Sequence, residues 1–150
     1  MVEQDWADSY SQWDDVTQAL GEGVVLNKLA LVSKTKSDGS VKHRLVWDLR
    51  RSGANLAVKQ GERIVLPRLS DVVADLRELA TTSMDEAFLL GTDVSEAFRQ
   101  VPLHESERQF TVAALAGKCY VFKVLVFGSS SAPTVWGKYA AFLGRSTAAV

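Results

Sequence analysis

Thr92-Asp93-Val94-Ser95-Glu96-Ala97-Phe98-Arg99-Gln100-Val101-Pro102-Leu103 is the stretch around which this chain is organised. The apolar run before it, Ala87-Phe88-Leu89-Leu90, predicts a short buried strand that delivers Asp93 at its carboxyl end. Open sheets place their chemistry at such strand ends. Phe98 follows the small Ala97, and Pro102 bars a regular helix from continuing. A carboxylate leaving a buried strand, with an aromatic ring close behind, suits a metal and nucleotide site. The plainer reading is a turn carboxylate and a core aromatic.

Working outward, the upstream half predicts a hairpin and two helices. Leu29–Val32 and Arg44–Trp47 bracket Ser37-Asp38-Gly39-Ser40, and Asp-Gly between two β-rich runs is a strong hairpin signal. Lys34, Lys36, Lys42 and Arg44 crowd the arms near its tip, where they suit a polyphosphate or simply protect an edge strand. Asp48–Asn55 reads as a polar loop, with Asp48 and Arg50 as structural partners. After Leu66-Pro67 comes a helix with Ser70 as N-cap, an apolar stripe of Leu69, Val72/Val73, Leu76 and Leu79, and an end at Thr81-Thr82-Ser83. Ahead of the hairpin, Trp6, Tyr10, Trp13, Val16/Thr17 and Leu20 recur at three or four residues, predicting a leading packing helix that Gly21 and Gly23 stop.

The downstream half predicts a second hairpin and a last helix. His104–Arg108 reads as a polar link into Phe110–Leu115. Ala116-Gly117-Lys118 turns the chain, and Cys119–Val126 returns as the partner strand. Val135/Trp136, Tyr139 and Phe142/Leu143 then form the face of a helix that accepts Pro133 in its first turn. Strands and helices interleave without a regular βαβ period. The expected class is therefore α+β, with antiparallel hairpins packed against helices.

Bulk properties narrow the function classes. At 150 residues the chain is expected to form one domain burying roughly 70% of its unfolded surface. With 47% hydrophobic and 23% charged residues it has a globular composition. No apolar run is long enough for a transmembrane helix, and the amino terminus lacks a secretory signal. Cys119 is the one cysteine and has no internal disulfide partner, which fits a reducing compartment, cytoplasm or nucleus. It reads as a small strand hydrophobe, and His43 and His104 as solvent-facing. The net charge of −1 hides an asymmetry: residues 1–22 carry six acids and no Lys or Arg, whereas residues 34–51 carry a net +4. Such a basic segment suits phosphate.

Taken together, these segments resemble a reverse transcriptase of the retrotransposon and retrovirus type. Asp93-Val94-Ser95-Glu96-Ala97-Phe98-Arg99-Gln100-Val101-Pro102-Leu103 resembles the family's first catalytic motif. Lys36–Ser40 with Arg44–Arg50 and Asn55 is similar to its fingers hairpin, and Leu66-Pro67-Arg68-Leu69 to the segment that follows. Phe127-Gly128 with Ser131-Ala132-Pro133 resembles the loop and helix that support the template–nucleotide pair. The resemblance runs from about Leu31 to about Phe142. It implies a right-hand polymerase architecture: a leading acidic helix over 1–23, fingers over about 24–86 and a partial palm over about 87–150.

The resemblance implies an RNA-directed DNA polymerase that joins a dNTP to a primer on an RNA or DNA template, within a longer Pol polyprotein and away from membranes. Its cofactors would be two Mg²⁺ or Mn²⁺ ions, roughly 4 Å apart in enzymes of this kind. Asp93 would bridge the ions and the backbone carbonyl of Val94 would add a ligand. Lys36 and Arg44 would grip the triphosphate, Phe98 would be the steric gate against a ribose 2′-OH, and Phe127 and Gly128 would flank the nucleotide. Pro133 would lie toward the nucleic acid.

Two departures from the family stand out. Val126 occupies a position the family usually gives to proline, and Ser129–Ser131 fill a stretch that normally holds a larger apolar residue. The family's Tyr-x-Asp-Asp-like pair and thumb have no counterpart in these 150 residues, so this piece by itself is expected to polymerise little or not at all. The competing readings are a nucleic-acid-binding module without chemistry and a functionless mobile-element remnant.

Overall fold

Between Leu115 and Lys118 the chain reverses through Ala116 and Gly117, whose φ angles are 50° and 74°. Two consecutive left-handed residues make the tight hairpin turn whose twist matches that of its flanking strands. Gly117 adopts it freely, whereas Ala116 does so against about 1–2 kcal/mol of steric cost. The computed structural model describes residues 3–82 and 91–148. In chain order the elements are β1 (Ala7–Tyr10), α1 (Trp13–Leu20), β2 (Leu26–Asn27), β3 (Leu29–Thr35), β4 (Val41–Trp47), α2 (Ala54–Ala57) and α3 (Leu69–Thr82). A 3₁₀ turn (Ala97–Gln100), α4 (Glu105–Arg108), β5 (Val112–Leu115), β6 (Lys118–Phe122) and α5 (Ala132–Ala148) follow. The class is mixed α+β. No helix is long and apolar enough to cross a membrane among the described residues.

The described strands form two sheets. One has the order β1-β6-β5-β2, and β3 and β4 make a separate ribbon. The ribbon matches the expected hairpin, with Leu29 opposite Trp47 and Thr35 opposite Val41. Lys36 N–H donates to Ser40 O at 2.8 Å across its tip, where Gly39 takes a φ of 81°. The Asp38 carboxylate accepts from the Ser40 hydroxyl at 2.6 Å and the Ser40 N–H at 2.9 Å. Those bonds, the hydroxyl first, hold its carboxyl below the ordinary carboxylate range.

Two clusters cover opposite faces of the larger sheet. On one face Val112 and Val121, paired across β5 and β6, pack on Val16 of α1. On the other, Ala7, Ala113, Phe122 and Val126 pack on Trp47 and Leu49. The Trp47 and Phe122 rings meet edge to face with centroids 4.5 Å apart. Such a pair adds about 0.5–1.5 kcal/mol beyond its area burial. The base of the basic ribbon is thereby locked into the core while its tip stands in solvent. A third cluster of Val101, Leu125 and Ala132, with Phe98, Leu103, Val135 and Trp136 around it, joins the 3₁₀ turn to α5.

Several expectations are corrected. The leading helix starts at Trp13, because Ala7–Tyr10 is a strand paired antiparallel to β6. The open edge of β6 offers those residues a full ladder, which overrides their helical spacing. β2 was not foreseen. It pairs parallel to β5 over Leu26 and Asn27, so the sheet is not wholly antiparallel. The second hairpin is shorter than expected, with Phe110-Thr111 before it and Lys123–Val126 beyond it. Part of that return runs beside the Asp93 segment, since Leu103 N–H donates to Lys123 O at 2.7 Å and Leu125 N–H to Val101 O at 3.0 Å.

The helices bring further corrections. Part of the expected polar loop is helical as α2, and the expected link from His104 is largely α4. Ser70 is not an N-cap but lies inside α3, as does Asp71, whose carboxylate reaches back to accept the Arg68 N–H at 2.7 Å. The apolar stripe of α3 is not buried, with Leu69 81% exposed and no residue of the helix in the core. In α5 only the first part of the expected face packs; Tyr139, Phe142 and Leu143 are exposed. The strand expected at Ala87–Leu90 lies outside the described residues, as does Ser83.

Candidate functional site

The β3–β4 ribbon alternates its side chains between two faces. Val32 lies opposite Arg44 and Lys34 opposite Lys42, so these share one face. Together with Lys36 they line a shallow hollow of ≈ 390 Å³, whose other lining residues are Thr35 and Ser37. Among the described residues no carboxylate lines it. Like charges directly opposite each other destabilise an antiparallel pair, so the Lys34–Lys42 pairing favours an anion over this face. Lys36 and Arg44, the expected triphosphate cations, are therefore brought together.

Arg44 also reaches the other end of the site. Its guanidinium carbon stands 6.0 Å from the centroid of the Phe127 ring. Phe127 in turn meets Phe98, with centroids 5.0 Å apart and planes tilted by 45°. Three residues far apart in sequence, on β4, on the 3₁₀ turn and on the loop before α5, thus form one row: cation, ring, ring. Each aromatic is half-buried, leaving part of its ring for a ligand.

The Phe127-Gly128 loop is held by residues the sequence reading did not assign to the site. Gly128 has a φ of 111°, and a Cβ there would come within 3.0 Å of the Trp47 carbonyl carbon and closer still to its oxygen. Glycine is required by that approach of the Trp47 backbone, a reason separate from any base pair. Trp47 N–H donates to Phe127 O at 2.8 Å. Asn55 holds the loop with both ends of its amide, Nδ2 donating to Gly128 O at 2.9 Å and Oδ1 accepting the Ser130 N–H at 3.0 Å. Gln60 adds a bond from Nε2 to Ser130 O at 2.6 Å. An asparagine soon after a hairpin was the available signal for Asn55; nothing local in the sequence marks Gln60.

Asp93 sits apart from the basic hollow. It is exposed and lies in the irregular segment after Gly91. With Thr92, Val94 and Ala97 it lines a hollow of ≈ 280 Å³ against Trp136, Ala140 and Leu143 of α5. Pro133 and Phe98 border the neighbouring groove of ≈ 770 Å³, whose far wall is Ile64–Pro67. Trp136, Ala140 and Gly144 are shared by the two.

Mg²⁺ takes one or two protein carboxylates together with phosphates and waters. Asp93 fits as one such ligand, with the Val94 carbonyl next in the chain. Among the described residues, however, no three His, Cys, Asp or Glu side chains gather where they could hold an ion. Asp93 thus offers an ion a single carboxylate among the described residues.

Compared with protein-family models, curated proteins and solved structures, the chain gives no match.

Proposed function

We propose that the chain carries fingers and part of a palm of an RNA-directed DNA polymerase of the reverse-transcriptase type, and that its described residues bind an incoming deoxynucleoside triphosphate. The observation that carries this reading is the row of Arg44, Phe127 and Phe98, which joins the three segments on which the resemblance rests. The triphosphate would lie against Lys36 and Arg44, where charge-assisted bonds are strongest. The sugar would meet Phe98. Asp93 would supply one carboxylate to a metal site of Mg²⁺ type, and Pro133 would face the nucleic acid. Asp93, with the Val94 carbonyl, would hold such an ion, whose Lewis acidity would lower the pKa of a primer hydroxyl.

Because Asp93 alone does not hold two ions, nucleotide binding decides the matter better than primer extension does. Calorimetric titration with dGTP and GTP in the presence of Mg²⁺ is the test. Arg44→Ala is expected to weaken dGTP binding by about tenfold or more, the cost of a lost bond to a charged group. Phe98→Ala is expected to bring GTP closer to dGTP. Wild-type protein that binds neither nucleotide at millimolar concentration sinks the proposal.

A second reading, a nucleic-acid-binding module, is favoured by the exposed cationic face around Lys34 and Lys42. It predicts that an RNA–DNA hybrid binds with affinity falling steeply with salt, and that Lys36→Ala with Arg44→Ala flattens that slope.

A further inference from the structure

The turn that carries Phe98 rests on residues from the far end of the chain. Glu96 takes a φ of 50°, a left-handed conformation that glutamate adopts only against steric resistance. The turn closes through Arg99 N–H, which donates to Glu96 O at 2.8 Å, and through the Arg99 Nε bond to the Glu96 carboxylate at 3.0 Å. The Arg99 guanidinium in turn lies over the Trp6 ring, 4.9 Å from its centroid, with only 10% of its side chain exposed. A guanidinium on an indole face is attracted by the ring quadrupole, most strongly where water is excluded.

Trp6 is itself pinned. Its carbonyl accepts the Lys123 N–H at 2.9 Å, just beyond β6. The Lys123 ammonium pairs with Asp5 on one side and with Asp8, at 3.0 Å, on the other. β1 then fastens the same segment to β6 from Ala7 to Tyr10. Part of the acidic amino-terminal segment thus works as a strap, neutralising Lys123 and presenting an indole face to Arg99.

We propose that Trp6 is a positioning residue for the Phe98 turn: by seating Arg99 it fixes the strained Glu96 turn and so the angle at which Phe98 meets Phe127. The structural half of this inference stands alone; its consequence for sugar selection rests on the nucleotide reading.

Trp6→Leu removes the ring face and keeps apolar volume, and Trp6→Phe keeps a face. Amide hydrogen exchange is read at Arg99 and Val101, whose N–H groups donate to Glu96 O and Phe98 O, with the β5–β6 amides as reference. Trp6→Leu is expected to speed exchange at those two amides by roughly fivefold or more, from the lost cation–ring attraction. The β5–β6 amides are expected to hold, and Trp6→Phe to stay near wild type. The dGTP-to-GTP affinity ratio is expected to fall in Trp6→Leu and recover in Trp6→Phe. Trp6→Met serves if Trp6→Leu does not fold.

Unchanged exchange at Arg99 and Val101 overturns the proposal. So does equal acceleration at the β5–β6 amides, which would make Trp6 a general stabiliser. A response in exchange with an unaltered affinity ratio overturns the selection half. Wild type that binds neither nucleotide refutes the nucleotide reading and the selection half with it, while exchange still decides the structural half.

Discussion

Replacing Gly128 by alanine tests whether the loop beside Phe127 is seated as tightly on the hairpin base as the structure has it. Two costs combine. A φ of 111° is poorly tolerated by any residue with a Cβ, at about 1–3 kcal/mol. The new methyl group must also displace the Trp47 carbonyl, disturbing the Trp47-to-Phe127 hydrogen bond and the two bonds from Asn55, each worth about 1 kcal/mol. With part of those bonds lost, the expected destabilisation is about 4 kcal/mol, which at a urea slope of about 2 kcal/mol/M moves the unfolding midpoint by about 2 M. Gly39→Ala is the control. Its φ is 81° but nothing lies within 4 Å of a Cβ there, so only the backbone cost of about 1–2 kcal/mol applies. Urea unfolding followed by tryptophan fluorescence compares the two. If Gly128→Ala costs within about 1 kcal/mol of Gly39→Ala, the close approach of Trp47 is wrong. The row of Arg44, Phe127 and Phe98 would then lose its support.

Other outcomes are expected from the same contacts. Asn55→Ala leaves the Gly128 carbonyl and the Ser130 N–H without their partner and is expected to cost about 1–3 kcal/mol in urea unfolding, with a weakened nucleotide affinity alongside. Phe122→Ala removes a fully buried ring from under Trp47 and is expected to destabilise by about 3–5 kcal/mol, with the Trp47 emission shifted to the red. The Lys123 amine is held above its ordinary range by Asp5 first and Asp8 second. A raised folded-state value means that its contribution is complete below the ordinary lysine range of about 10.4 and disappears as pH climbs through the raised value. The gap in melting temperature between wild type and Lys123→Gln is therefore expected to be constant near neutrality and to close only in strong alkali.

What was legible in the sequence was local. Asp38-Gly39 and the Ala116-Gly117 link name their own turns, because glycine takes positive φ without steric cost. The Gly21 stop of α1 was legible for the same reason, and the α5 stripe only as far as Val135 and Trp136. What was lost depends on partners. Ala7–Tyr10 reads as helix until the edge of β6 is known, and two residues of β2 carry no periodic signal at all. Of the expected site, the sequence supplied Arg44, Phe98 and Phe127 as separate candidates. Only the fold lines them up, and only the fold shows that Asn55 and Trp47 hold the loop between them.

The placement of β1 also bears on how the chain is made. Ala7 pairs with Phe122, so β1 has no partner until β6, far along the chain, has been synthesised. At roughly 5–20 residues per second that interval is on the order of ten seconds. The β3–β4 ribbon, by contrast, closes over a few residues and can form on the microsecond scale, of about 1–10 μs for a hairpin. Asn27 reinforces the late step, since its side-chain amide donates to Phe110 O at 2.8 Å and Val112 O at 3.0 Å. A nascent chain halted before β6 would therefore hold a formed cationic ribbon and an unpaired β1, and refolding of the chain that contains β6 is expected to be limited by closure of the loop between β1 and β6.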